Sequence, residues 1–418
     1  MAKEISIKSA GGLRAVLAPC EAESVAVGVF VASGSRHERP CEAGISHFIE
    51  HMLFKGTPSR KPIDITRAIE GRGGNFNAMT GEEATCYYAH LPSECLAEAI
   101  DILSDMYLNS SIPDDEFERE KSVIIEEIRM YADEPDQVAA ENLQKCVFPG
   151  SPLGSPVAGT PESLKPLKPE DLRRYIKGHY RADNSVVVIV GAFDEGEAER
   201  LLAKSFGPLA SRGKAARARF RPSAPDAKRV VPHISEEKEI NQAQLALGYR
   251  TFGISDPRKY AASVMDAILG RGMMSRLFQE VREKRGLSYD ISSRMQFFSD
   301  TGMFTVSAGT DPARAAKTLE TVEREMKRIC EKRPGAAELK RTKEFLTGNF
   351  RLSHERVTSK LFFYGQTMLA FGRVIEPAEQ VAGIEAVTAA DVQAVAKAIL
   401  RPSMRSVSWV VPKKGGAS

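Results

Sequence analysis

The sequence predicts an α+β protein of two homologous domains, each a mostly antiparallel sheet of about six strands packed with helices. Three observations predict it. The chain has 418 residues, enough for two substantial cores. Its first half alternates short β-rich runs with amphipathic helical stretches in an order that suits a helix-covered sheet. Its second half repeats that order about 220 residues later, and the match is clearest where EDLRRYIKGHYRADNSVVVIV at 170–190 aligns with ADVQAVAKAILRPSMRSVSWVV at 390–411.

The first-half strands are KEISIKS, LRAVLAP and SVAVGVFVAS within residues 3–34, two strands in NFNAMTGEEATCYYAHLP with a turn at Thr80-Gly81, and SVVVIV at 185–190. Between them, KPIDITRAIEGRGG and residues 93–109 have helical spacing. Asp114, Asp115 and Glu116 open a long helix with acids in its first turn, as the helix dipole favours. Helices at 136–147 and, after a Gly/Pro-rich loop, at Pro169–His179 follow. Residues 207–232 are basic, Ala- and Pro-rich and aperiodic, marking an interdomain connection. The division is therefore 1–210, a linker at 211–232, and 233–418. In the second half, QAQLALGYRTF reads as a strand like SVAVGVFVAS, residues 258–284 as helices, and SYDISSRMQFFSDTGMFTVSAGT as two strands.

Composition narrows the function. Hydrophobic residues make up 42% and charged residues 27%, as in ordinary globular proteins. A net charge of +3 gives no reason to expect nucleic acid or a membrane surface as partner. The six cysteines form no C-x-x-C pair, which argues against a thiolate zinc site and fits a reducing compartment. No apolar run approaches a membrane span, and the N-terminus lacks the apolar core of a secretory signal. The expected compartment is the cytoplasm.

The chemistry concentrates in GISHFIEHMLFKG at 44–56. His47 and His51 are four apart, so on a helix they share one face and can bind one metal ion, usually zinc. Glu50 beside them is placed to act on a water at such a metal. This is the H-x-x-E-H order. Ser46 is the expected helix start. A catalytic zinc needs a third protein ligand. The candidate is Glu127 on the long helix, where Glu120, Glu127 and Met130–Tyr131 fall on one face that the pattern predicts to be buried, bordered by Val123 and Ile124. Glu126, about 100° away, is the alternative.

These residues, with the flanking text HFIEHMLFKGT and IIEEIRMYADEP, resemble the inverzincin zinc peptidases that include pitrilysin, insulin-degrading enzyme and the mitochondrial processing peptidase, and most closely their small bacterial members. The resemblance covers nearly the whole chain. It implies a zinc metalloendopeptidase with one Zn²⁺ per chain held by His47, His51 and Glu127, with Glu50 as general base and Glu120 supporting the site electrostatically. GGNFNAMTGEEATCYY is similar to the family's substrate-binding edge strand, which places Asn77 and Ala78 against an extended peptide. VREKRGLSYD resembles the family's arginine–tyrosine pair, which makes Arg282 and Tyr289 the residues that hold substrate and stabilise the reacting carbonyl. Relatives with four such domains close like a clamshell, so two domains per chain imply a homodimer, the second domain of one subunit completing the site of the other. A departure is Gly270-Arg271-Gly272-Met273, where relatives carry a run of glycines; Arg271 puts glycine-loop flexibility there in doubt. Two alternatives share the fold: a catalytically silent assembly subunit, as in the respiratory cytochrome bc complex, and a processing partner active only with a different chain.

Overall fold

A computed structural model describes residues 5–10, 12–212 and 233–413. Residues 213–232 of the expected linker lie outside these. The chain divides into two compact units. One comprises Met1–Ile128, Pro156–Arg219 and Arg351–Ile375; the other comprises Arg129–Ser155, Phe220–Phe350 and Glu376–Ser418. Each unit therefore takes one segment from the opposite half of the sequence.

The first unit is built on six strands: β1 (Ser6–Ala10), β2 (Leu13–Pro19), β3 (Ser24–Val31), β4 (Asn75–Thr80), β5 (Thr85–Pro92) and β6 (Ser185–Gly191). Their spatial order is β1-β2-β6-β3-β5-β4, antiparallel except for β2 beside β6. The near-continuous apolar character of β3 and β6 follows from burial on both faces. One face, with Leu17, Val27, Val29 and Ile189, packs against Phe48 and Met52 of helix Ile45–Leu53 and Ile100 and Leu103 of helix Leu96–Asn109. The other, with Val16, Phe30 and Val188, is covered by Leu361, Tyr364 and Met368 of helix Val357–Phe371. That helix lies so close that a Cβ on Gly365 would sit 2.4 Å from the Phe30 ring.

The second unit has five strands: β7 (His233–Lys238), β8 (Ala243–Phe252), β9 (Ser288–Phe297), β10 (Thr301–Thr310) and β11 (Arg405–Pro412). The order is β7-β11-β8-β10-β9, with β7 and β11 parallel. Helix Pro135–Val147 covers its outer face through Val138, Leu143 and Val147, packing on Ala246 and Val410. Gly28 in β3 and Gly248 in β8, 220 positions apart, each face a covering leucine, Leu361 and Leu143, within 3.1 Å of where a Cβ would stand. The repeat thus extends to the way each sheet admits its borrowed helix.

In the first unit β4 is an edge strand, paired only with β5 among the described residues. Phe76, Ala78 and Thr80 are partly buried, while Asn75, Asn77 and Met79 are exposed. The strand thus presents an unpaired main-chain edge beside the helix that carries H-x-x-E-H.

Candidate metal centre

Helix Ile45–Leu53 buries Phe48, Ile49, Met52 and Leu53 and turns His47, Glu50 and His51 to the opposite side. It starts one residue before the expected Ser46. Gly44 is its N-cap, with φ 92°, and a Cβ there would meet the Ala158 carbonyl oxygen at 2.6 Å. The free N–H groups of this helix end are met from outside the helix: the buried carboxylate of Glu38 accepts from the N–H groups of Gly44 and Ser46, both at 2.8 Å. Ser46 instead points its hydroxyl at Tyr175, 3.2 Å away. Burial pushes Glu38 up to about 7 against the pull of these hydrogen bonds.

Helix Asp114–Asp133 supplies the acids. Its buried stripe is Phe117, Glu120 and Ile124, continuing to half-buried Glu127. Val123, Met130 and Tyr131, expected at or beside a buried face, are exposed instead. The stripe drifts off the core after Glu127, so periodicity alone overextended it. Glu126 is exposed.

His47, His51 and Glu127 come together: each offers one donor atom, all within 4.8 Å of one another. Glu127 Oε2 lies 3.5 Å from His51 Nε2 and 3.8 Å from His47 Nε2. Bonds of about 2.0–2.2 Å from zinc to nitrogen and oxygen give a tetrahedral edge of about 3.4 Å. The two separations, 3.5 and 3.8 Å, come near that edge, and two imidazoles with one carboxylate form a donor set suited to that ion. His51 Nδ1 lies 3.1 Å from Glu120 Oε2, and Lys55 Nζ lies 2.5 Å from the other Glu120 oxygen. With Nδ1–H donating to the carboxylate, His51 keeps its Nε2 lone pair for a metal. Burial, then the neighbouring His51, pushes His47 down to about 4, which favours the neutral imidazole that a metal requires.

Glu50 sits beside this set, and Thr80 Oγ1 donates a short hydrogen bond to its Oε2. Burial raises the Glu50 carboxyl above its usual range, opposed by Thr80 and by His51. Asn77 and Ala78 lie on the edge strand β4, where Asn77 Oδ1 accepts from the Ala78 N–H at 2.8 Å.

Arg282 and Tyr289 belong to the second unit and meet each other there. The Arg282 guanidinium stands 4.5 Å from the Tyr289 ring centroid and 4.8 Å from that of Phe278. Both positions are irregular. Arg282 lies in a π-helical turn, Phe278–Glu283, and Tyr289 is the extra residue of a bulge at which Thr310 pairs with Ser288 and Gly309 with Asp290. The bulge leaves Tyr289 78% exposed on an otherwise paired strand. Nearby, Arg271 pairs at 2.7 Å with the fully buried Asp266, so the segment that replaces the glycine run is anchored at that residue.

Residues 15–161 match the family described as Insulinase (Peptidase family M16), and residues 166–346 match the family described as Peptidase M16 inactive domain. The chain belongs to peptidase family M16. It is 36% identical to a Bacillus subtilis protein named "Uncharacterized zinc protease YmxG", over 84% of each chain. It is 35% identical to a Mycobacterium tuberculosis protein that is likewise named an uncharacterized zinc protease, over 93% of this chain and 89% of the relative. A protease structure from Helicobacter pylori superposes with a TM-score of 0.90 at 19% identity, covering 99% of this chain and all of the other, a likeness of fold. The M16 "inactive domain" match falls mostly on the half that has lost H-x-x-E-H. Among the described residues no helix is long and apolar enough to cross a membrane.

Sequence reasoning missed three polar residues around the centre: Glu38, Lys55 and Thr80. Only Lys55 had a usable signal, since it stands four residues after His51 and so near one helix face.

Proposed function

We propose that the chain is a zinc-dependent metalloendopeptidase that hydrolyses extended peptides or presequences, with one zinc ion held by His47, His51 and Glu127. The observation that supports the reading is the gathering of these three donors within 4.8 Å of one another with the Glu50 carboxylate beside them. Bound zinc supplies Lewis acidity, lowering the pKa of a water and polarising the scissile carbonyl. Glu50 takes the water's proton and delivers it to the leaving amine, a role its burial favours by raising its proton affinity. Glu120 fixes the His51 ring. The peptide lies along the open edge of β4 at Asn77 and Ala78, held by main-chain pairing that is tolerant of sequence.

Tyr289 donates to the developing oxyanion and Arg282 grips the peptide. In a homodimer these two come from the partner subunit's second domain, a proposal that rests on the resemblance to larger relatives. The silent-subunit alternative is disfavoured by the full donor set and by the presence of Glu50.

The test is metal analysis of the purified protein together with cleavage of a quenched-peptide panel. The reading expects about one zinc per chain, loss of cleavage on chelation and recovery on adding zinc. A metal-free protein that cleaves equally well would refute it.

A further inference from the structure

Glu50 has a long side chain with three rotatable bonds, and the reaction needs its carboxylate in one place. Left alone it would sample several rotamers, at a cost in the fraction of productive complexes. Among the described residues the hydrogen-bond partner of its carboxylate is Thr80 Oγ1, on Oε2. One carboxylate oxygen is therefore committed to a protein donor, and the other is left to receive a proton.

Thr80 is itself held by its strand partner and by the turn that follows it. It is the last residue of β4, paired with Thr85 of β5, whose own hydroxyl donates to the Ser33 carbonyl at 2.9 Å. The turn that follows is clamped by the preceding loop: the Ser35 N–H donates to the Gly81 carbonyl at 3.2 Å, the Arg36 N–H to the Glu82 carbonyl at 2.8 Å, and the Arg36 guanidinium pairs with Glu83 at 2.5 Å. Gly34 is required at this clamp, since a Cβ there would fall 2.1 Å from the Gly81 oxygen. The β-branch of threonine restricts χ1 further. At the other end of the strand's inward face, the Phe76 ring stands 5.3 Å from Phe54, just past the helix that carries Glu50.

We propose that Thr80 is the positioning residue for Glu50: its hydroxyl, fixed by the clamped β4–β5 turn, sets the carboxylate orientation for proton transfer and ties it to the strand on which the peptide is registered. This rests on Glu50 acting as the base. Thr80 is not one of the three donors, and it falls on the partly buried face of β4, opposite to Asn75, Asn77 and Met79, so its loss is expected to leave metal binding and peptide pairing intact.

The test compares zinc-loaded wild type with Thr80→Val, Thr80→Ser and Glu50→Gln, and adds crystal structures of the metal-free Thr80 variants. Valine replaces the hydroxyl with a methyl of similar volume. The expected result for Thr80→Val is a kcat about 10- to 100-fold lower with KM and zinc content unchanged, and a Glu50 carboxylate displaced from its wild-type position. Thr80→Ser is expected to recover most of kcat and the original carboxylate position. A wild-type kcat in Thr80→Val, an unmoved Glu50 carboxylate, or a serine variant as slow as the valine variant overturns the proposal. Full activity of Glu50→Gln would instead overturn the base assignment, and the metal-free structures would still decide whether Thr80 holds the carboxylate.

Discussion

His51 Nδ1 and Glu120 Oε2 lie 3.1 Å apart, and that contact leaves Nε2 as the ring nitrogen that faces Glu127. Glu120 is 5% exposed and is balanced on its other oxygen by Lys55. A buried carboxylate with one cationic and one imidazole partner is satisfied without itself being a ligand. Glu120→Gln is therefore expected to fold normally but to bind zinc about 10- to 100-fold more weakly, as loss of an outer-shell partner does elsewhere. Competition with a chromogenic chelator measures this, and an unchanged affinity would remove Glu120 from the metal support.

The two adjacent acids of the long helix separate cleanly. Glu127 reaches both imidazoles, whereas Glu126 is exposed. Glu127→Gln should strip most of the bound zinc and Glu126→Gln almost none, read by metal analysis after dialysis. The reverse result would move the third ligand by one residue.

The cap of the metal helix makes stability depend on pH. The Glu38 pKa is raised from 4.5 to about 7 in the fold, so between those values the folded state holds more protons than the unfolded one. Its contribution is fully present below pH 4.5 and declines as pH rises through about 7, by an amount on the order of 3 kcal/mol. The stability of wild type relative to Glu38→Gln should therefore fall between pH 4.5 and 7.5 in urea unfolding. A difference that stays flat or grows with pH would contradict the assignment.

Sharing of the site between subunits has a direct complementation test. Glu50→Gln and Tyr289→Phe chains are each expected to be inactive alone. If each site draws on Tyr289 of the partner subunit, mixing the two chains restores activity, because mixed dimers then contain one site with both groups intact. If Glu50 and Tyr289 act within one chain, mixing restores nothing.

Much of the candidate site was legible in the sequence because several of its residues sit on regular elements. His47 and His51 follow helical spacing, which local periodicity reads, whereas Asn77 and Ala78 were singled out only by the resemblance. Periodicity favoured Glu127 but left Glu126 open as the alternative, and the exposure of Met130 and Tyr131 shows its limit: the helix leaves the core before its hydrophobic pattern ends. Thr80 meets Glu50 from a strand distant in sequence, which no local pattern encodes, and Glu38 reaches the helix start from the loop just before it, with no motif to mark it. The same holds for the fold. Six strands of the first sheet were legible, but the helix Val357–Phe371 that covers its second face lies in the other half of the chain, in a stretch to which sequence reading assigned no element. The continuous apolar character of β3 and β6 signalled a doubly buried sheet without saying what buried it. The second sheet has five strands, near the expected six, and its edge strand bulges at Tyr289, a distortion invisible in composition.

The most direct test of the central claim is zinc content and peptide cleavage measured side by side on Glu50→Gln. Glu50 lies beside the donors without being one of them, so the account predicts a zinc content equal to wild type with cleavage lowered at least about 100-fold, the scale of a lost general base. A variant that keeps its zinc and cleaves at the wild-type rate would contradict it.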